Sequence, residues 1–341
     1  MDSQYRELKR RVLAADLLTK QPHHALRVII RNLLLLTGSI VLFALFHAPW
    51  ALVLNAVMLG VIFGQLAYIL HDAGHRQLFN GSRQNALAGL IHGNLLLGVS
   101  YGWWVMKHND HHANPNQLDA DPELDIPIIA YTPAQALASR GLTRWLMRYQ
   151  AFWFVPLLCL AAPIWYYSSV LFMLRRQTRY RWSEPILFLI HWAIYLAVPL
   201  YFLGPWATLL MVVVHQLVTS FALASSFAPN HKGMLLIEPG TDLEFLQAQV
   251  LTARNIRGNP VTDFWYGGLN YQIEHHLFPT MPRPNLRAGQ AIVKAYCAEC
   301  RVPYYETSIP QSYREILGYL HTVSAPLRTR ASLPILTTEE R

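Results

Sequence analysis

Four apolar runs, each close to the length needed to cross a lipid bilayer, dominate the pattern along the chain. Residues 28–48 and 51–70 form the first pair, and residues 185–203 and 206–228 form the second. Because about 20 apolar residues in a helix span the hydrocarbon core, each run predicts a transmembrane helix. Gly204 and Pro205 separate the last two runs, and they predict a tight turn there.

A fifth apolar run, residues 151–174, has a different setting. Basic residues flank it on both sides, namely Arg140, Arg144 and Arg148 before it and Arg175, Arg176, Arg179 and Arg181 after it. Because Lys and Arg accumulate in cytoplasmic loops, both of its ends are expected in the cytoplasm. The run therefore predicts an interfacial or re-entrant segment.

The longer polar segments all fall on one side of the predicted membrane. The basic start of the chain, with Arg6, Lys9, Arg10 and Arg11, is expected to stay in the cytoplasm. Four crossings then place residues 71–184, residues 229–341 and both termini in the cytoplasm. We therefore expect an all-α integral membrane protein. It would form a single domain over residues 1–341, with four transmembrane helices, interfacial helices and a cytoplasmic cap.

Composition supports a membrane setting. Hydrophobic residues make up 53% of the chain and charged residues 14%, whereas soluble proteins are about a quarter charged. The net charge of +8 comes largely from Arg and Lys beside the apolar runs, where they set topology and contact lipid head groups. We expect membrane lipids as partners and no binding of nucleic acid. The three cysteines cannot form a disulfide framework, and Cys297 and Cys300 are expected to be ordinary reduced thiols.

Eight of the 15 histidines fall into four short motifs near the cytoplasmic ends of the predicted helices. HDAGH at residues 71–75 places two imidazoles one helical turn apart on one face. HNDHH at residues 108–112 and QIEHH at residues 272–276 have similar spacings, and one histidine stands alone after the last run. Because imidazole binds several transition metals, the motifs predict a metal centre. The predicted ligands are His71, His75, His108, His111, His112, His231, His275 and His276.

The number of histidines narrows the kind of site. Eight imidazoles exceed the coordination of one ion and fit two, although imidazole does not choose among iron, copper, zinc and nickel. Soluble di-iron carboxylate proteins use Glu-x-x-His motifs, and the chain has none. The HExxH motif of zinc proteases is also absent from the sequence. These observations favour two metals held by histidines.

At these motifs the chain resembles the membrane fatty acid desaturase family. Matching stretches include YGWW at residues 101–104, GGLNY at residues 267–271 and LFPTMPR at residues 277–283. Gln272, in the first place of the third box, resembles the front-end acyl desaturase branch. The resemblance extends from about residue 5 to residue 321.

The resemblance implies two iron ions at the cytosolic face, held by the eight histidines, with molecular oxygen as co-substrate. The implied reaction inserts a cis double bond into a fatty acyl chain linked to CoA, a carrier protein or a lipid. An external electron donor, of ferredoxin or cytochrome b5 type with a reductase, is also implied. The sequence has no Gly-rich dinucleotide fingerprint, and we expect no fused cytochrome b5 domain, since only a short polar stretch precedes the first run.

Polar residues beside the predicted ligands are candidates for a supporting role. Asp72, Asp110 and Glu274 are expected to accept ring N–H groups and so select the histidine tautomers. Related stearoyl-type enzymes have a histidine where this chain has Gln272, and an asparagine where it has Phe227. Gln272 and Asn230 are therefore candidate members of the metal sphere or its surroundings.

Two alternative functions stay open. An acyl hydroxylase or acetylenase would use the same ligands. A histidine-rich metal transporter would place its site near the bilayer midplane, whereas these motifs lie at helix ends. His191 and His215, inside the last two runs, are expected to line a tunnel or join helices rather than bind metal.

Overall fold

Helices make up nearly all of the regular structure in residues 3–329, the part of the chain that the computed structural model describes. The fold class expected from the sequence, an all-α membrane protein, is confirmed; residues 330–341 of the predicted cytoplasmic tail lie outside the described residues. The helices are α1 Ser3–Ala14, α2 Pro22–Leu45, α3 Pro49–Gly74, α4 Ser82–Leu90, α5 Tyr101–Ala113, α6 Pro133–Ala138, α7 Gly141–Arg148, α8 Gln150–Leu158, α9 Ala161–Leu174, α10 Ser183–His231, α11 Phe245–Leu251, α12 Pro260–Trp265, α13 Gln272–Leu277, α14 Leu286–Glu299 and α15 Ile309–Val323.

Helix α3 lies at the centre of the apolar part of the molecule. The most apolar stretch of α3 is 72% buried, whereas the corresponding stretches of α2 and α10 are 11% buried. Gly60 and Gly64 allow α3 to approach α10 closely, because a Cβ at Gly60 would lie 2.7 Å from the Cβ of Val218. Small residues at such a crossing are typical of packed membrane helices. Side chains that face outward, such as Leu34 and Trp206, are suited to lipid.

Helix α10 folds back on itself at Gly204. This residue has φ 73° and ψ 175° inside the 49-residue helix, a backbone conformation that favours glycine. The hydroxyl of Tyr195, before the break, lies 2.6 Å from Nδ1 of His215, after it. In a straight helix these residues would be about 30 Å apart. The two halves of α10 therefore run antiparallel, in the arrangement expected for the last two apolar runs.

Within residues 3–329, three helices are long and apolar enough to cross a membrane, namely α2, α3 and α10. Helices α8 and α9 meet the same test only as a pair, and they are bent by 72° at the break between them. This bent pair covers the run that was expected to be interfacial. Its geometry is that of a broken span or a re-entrant segment.

The cap over one end of these helices has a core of its own. Leu8 and Val12 of α1 pack with Leu246 of α11, Leu277 of α13 and Val293 of α14 in one apolar cluster. Two short parallel strands, β1 Asn255–Ile256 and β2 Glu306–Thr307, join the middle of the cap to its last third. A π-helical turn, Ile91–Leu97, and two 3-10 turns, Arg283–Asn285 and Ala325–Leu327, complete the regular structure of the described residues.

Candidate metal centre

Four elements bring the eight predicted ligands together where the apolar helices meet the cap. The end of α3 carries His71 and His75, and α5 carries the three histidines of the second motif. The end of α10 carries His231, and α13 carries the third box. Seven of the eight residues are buried, and His112 is half-buried. The structure thus gathers all the histidines that the sequence singled out.

Helix α5 is anchored at its start by a buried carboxylate. Ser100 caps the helix by accepting from the backbone N–H of Trp103 at 3.1 Å. Glu184, at the start of α10, accepts from the Ser100 hydroxyl, from the N–H of Gly102 and from the Thr178 hydroxyl. A negative charge at a helix N-terminus is favourable. This contact fixes α5, and with it the second motif, against α10.

The imidazoles form two groups. The nitrogens of the first group, which we call the four-histidine group, lie within 4.8 Å of one another and belong to His71, His75, His108 and His275. The nitrogens of the second group, the three-histidine group, lie within the same limit and belong to His111, His231 and His276. Two groups of this size fit two metal ions.

His112 lies between the two groups. Its Nε2 is 3.1 Å from the Nε2 of His108 and 3.1 Å from the Nε2 of His275. Its ring also stacks on the ring of His276, with centroids 4.2 Å apart. By the position of its Nε2, His112 belongs with the four-histidine group.

Burial favours the neutral form of four of the rings. It lowers the pKa of His75, His108, His275 and His276 well below the ordinary value of 6.5, and the neighbouring imidazoles lower the pKa further. A neutral imidazole has a lone pair on one nitrogen, which is the form that binds a metal. These four rings are therefore ready to bind metal at neutral pH without releasing protons.

Acceptors outside the three-histidine group select its tautomers. Nδ1 of His111 lies 2.9 Å from Oδ1 of Asp121, and Nδ1 of His231 lies 3.0 Å from the carbonyl oxygen of Thr252. Nδ1 of His276 lies 2.9 Å from Oε1 of Gln249. These oxygens only accept, so each Nδ1 carries the proton. All three Nε2 atoms are left with lone pairs that face the interior of the group.

In the four-histidine group one ring contacts a carboxylate, and several ring nitrogens have no hydrogen-bond partner. Nδ1 of His71 lies 3.1 Å from Oδ1 of Asp72, whose Oδ2 accepts from Arg283 at 2.5 Å. Among the eight predicted ligands, four buried ring nitrogens have no hydrogen-bond partner: Nε2 of His75, Nδ1 of His112 and Nδ1 of His275 at the four-histidine group, and Nε2 of His276 in the three-histidine group. A buried polar atom without a partner is costly. A metal ion in each group would satisfy Nε2 of His75 and Nε2 of His276, so the residues fit a pair of metals.

Two of the expected supporting residues have other positions. Asp110 is exposed, and the carboxylate beside α5 that contacts a ligand ring is that of Asp121. Glu274 is buried, but it accepts from Asn255 at 2.6 Å and from Tyr304 at 2.8 Å rather than from a histidine. Burial raises the pKa of Glu274 to about 7. The expectation of a ring contact does not hold for these two residues, because α5 and α13 turn the rings and the carboxylates to different sides.

Glu274 helps to position α13 instead of contacting a ligand ring. Asn255 of β1 accepts from the backbone N–H of Ile273 at 2.9 Å and donates to Glu274. These two contacts tie the start of α13 to the short β-pair. The strands therefore position the third box.

Sequence reasoning did not identify the partners of the three-histidine group. Asp121 follows His111 by ten positions, a separation that no helical spacing connects. Gln249 and the Thr252 carbonyl lie far from any motif, and no signal in a single sequence marks them. Gln249 also donates to the carbonyl of His112 at 3.0 Å, so it joins the second motif to the third.

The other buried histidines in residues 3–329 are engaged elsewhere. His215 bonds to Tyr195 between the halves of α10, as expected for an interhelical contact, and His191 bonds to the carbonyl of Leu95 at 3.0 Å. His92 bonds to the carbonyl of Ala88 at 2.9 Å. None of these three belongs to the two groups of clustered nitrogens found in the described residues.

Comparison with known proteins agrees with this arrangement. The family model described as fatty acid desaturase matches residues 48–308, which include all eight histidines. The chain belongs to the fatty acid desaturase family. The resemblance stated from the histidine boxes is thereby confirmed.

Individual relatives support the front-end branch. An acyl-lipid (9-3)-desaturase of Physcomitrium patens is 30% identical over 94% of this chain and 62% of its own length. The Delta(5) fatty acid desaturase fat-4 of Caenorhabditis elegans is 32% identical over 89% of this chain and 70% of its own length. A Delta(8)-fatty-acid desaturase of Euglena gracilis is 34% identical over 78% and 66%. The chain thus spans 62 to 70% of the length of these desaturases.

Proposed function

We propose that this protein is an oxygen-dependent fatty acyl desaturase with two iron ions, one at each histidine group. The observation that carries the proposal is the division of buried imidazoles into two adjoining groups at one end of the apolar helices. When bound, the irons would supply the oxidising chemistry of O2 needed to remove two hydrogens from an unactivated acyl chain. Membership of the desaturase family supports this assignment.

The protein itself contributes preorganised ligands and exclusion of water. Asp121, Gln249 and the Thr252 carbonyl hold three rings in one tautomer, so ligand reorganisation on metal binding is small. The apolar side chains of Trp104 and Leu70 are buried beside the four-histidine group. A dry site of this kind protects reactive species and strengthens electrostatic interactions.

An apolar cavity gives a candidate location for part of the acyl chain. It has a volume of about 470 Å³ and lies between α8, α10, α12 and α15, lined by residues that include Phe221, Ser225, Trp265 and Leu317. Ser225 precedes His231 by six positions, which corresponds to about 9 Å along α10. We propose that an acyl chain enters here, because regiochemistry on an unactivated chain requires that the chain be held firmly against the metals.

The proposed membrane arrangement follows the sequence. Helices α2 and α3 and the two halves of α10 would make four crossings, while α8 and α9 would lie at the interface. The metal centre and both termini would then be cytoplasmic, within reach of an external electron donor of ferredoxin or cytochrome b5 type with its reductase. Basic residues on both flanks of the bent pair support this orientation.

Expression in a host of known fatty acid composition tests the proposal. Saturated and monounsaturated acyl substrates are supplied separately, and the lipids are analysed by gas chromatography with mass spectrometry. We expect a new cis double bond between the carboxyl group and an existing double bond, and no product from the His275→Ala and His276→Ala variants. Hydroxylated chains as the sole products would refute the desaturase assignment. Conversion of the saturated chain alone would refute the front-end assignment.

A further inference from the structure

The amide of Gln272 reaches the three-histidine group, and its neighbours determine which way it faces. Nδ2 of Asn230 donates to the carbonyl oxygens of Ser226 and Leu269, both at 3.1 Å. Carbonyl oxygens only accept, so Asn230 must present its NH2 group on this side. The same NH2 group lies 2.9 Å from Oε1 of Gln272. Oε1 of Gln272 therefore accepts a hydrogen bond from Asn230.

The opposite end of the Gln272 amide faces His231. Nε2 of Gln272 lies 2.9 Å from Nε2 of His231, and this ring nitrogen has a lone pair because Nδ1–H donates to Thr252. Asn230 thus donates to Gln272, Gln272 donates to His231, and His231 donates to the carbonyl oxygen of Thr252. Reversing the Gln272 amide would place NH2 against NH2 at Asn230. All four residues are buried, so water cannot relieve that contact.

We propose that Gln272 is a hydrogen-bond donor to a molecule bound at the metal of the three-histidine group, and not a ligand of that metal. The inference rests on the proposed two-metal function. A metal that takes the lone pair of His231 removes the acceptor of the Gln272 N–H. An amide NH2 has no lone pair to offer a cation, so its remaining partner is an anionic or polar molecule that shares the metal.

The coordination numbers agree with this assignment. The three-histidine group supplies three imidazoles, and a metal with three protein ligands keeps positions open for exogenous molecules. The four-histidine group has four imidazoles and the adjacent Nε2 of His112. Small exogenous molecules would therefore bind on the side of the three-histidine metal that Gln272 faces.

Azide is a suitable probe because it is a small anion that accepts hydrogen bonds. The full chain in detergent is loaded with iron and oxidised, the iron content is measured, and azide is titrated while its charge-transfer absorption is followed. Gln272→Leu removes the donor, and Gln272→Glu keeps an acceptor for Asn230 while replacing the N–H groups by oxygen. Gln65→Leu is the matched control, since Gln65 is equally buried but donates to the carbonyl of Phe264.

We expect two irons per chain in all four proteins. We also expect azide affinity to fall by about tenfold or more in both Gln272 variants and to stay unchanged in Gln65→Leu. Loss of one iron in Gln272→Leu would show that Gln272 is a ligand, and unchanged azide affinity in both variants would show that it is no donor. Either result overturns the inference alone, whereas fewer than two irons in the wild-type chain would overturn the two-metal function as well.

Discussion

Replacing Asp121 by Asn tests how the three-histidine group is held. The two oxygens of this buried carboxylate accept from three donors: Nδ1 of His111 at 2.9 and 3.0 Å, and the backbone N–H groups of Asn116 and Glu123, each at 2.8 Å. Although burial opposes it, the hydrogen bond from His111 lowers the pKa of Asp121 to about 2. The group is therefore ionised at neutral pH.

An amide cannot reproduce this pattern of hydrogen bonds. One oxygen of Asp121 accepts from Asn116 and the other accepts from Glu123, so either orientation of Asn at position 121 places NH2 against a backbone N–H. A hydrogen bond to a charged group contributes about 1.5–3 kcal/mol, which corresponds to roughly ten- to hundredfold in affinity. Because the lost contact fixes the tautomer of His111, we expect metal affinity at the three-histidine group to fall by about that factor.

The assay is metal content under chelator competition. The purified chain is equilibrated with iron at a series of buffered concentrations, and bound iron is counted. We expect Asp121→Asn to lose one iron at concentrations where the wild type keeps two. Asp110→Asn is the matched control, since Asp110 is exposed and precedes the same histidine. Retention of both irons by Asp121→Asn, or an equal loss in the control, would refute the reasoning.

Three further predictions follow from the fold. A reporter fused near Gln177 should read cytoplasmic and one near Gly204 external; an external signal at Gln177 would contradict the interfacial assignment of α8 and α9. Gly60→Ala should lower the melting temperature, because overpacking against Val218 costs about 1–3 kcal/mol. The control Gly38→Ala adds a methyl group in open space and should leave the melting temperature nearly unchanged. Equal changes in melting temperature in the two variants would argue against close α3–α10 packing. In the metal-free chain the melting temperature should fall as the pH drops below 6.5, because the histidines then bind protons in the unfolded state but stay neutral when they are buried in the folded state. A melting temperature that does not change from pH 7 to pH 5 would contradict the lowered pKa values of His75, His108, His275 and His276.

The sequence was sufficient to predict the membrane class, the family and the residues that cluster. Long apolar runs can be buried only in a bilayer or in an unusually large core. Histidines four residues apart lie on the same face of a helix. Gly204 and Pro205 likewise marked the reversal of α10, since that backbone conformation favours glycine. These features are local in the chain, so their consequences can be read from neighbouring residues.

Only the tertiary structure decided how the histidines divide. His275 and His276 are adjacent, yet their nitrogens belong to different groups, because neighbouring residues on a helix point about 100° apart. The orientation of the Gln272 amide depends on Asn230, which lies 42 positions earlier in the chain. The acceptors for His111 and His276 come from a loop and from α11. A helix period carries no information about such distant contacts, because they depend on how the cap packs against the ends of α3 and α10.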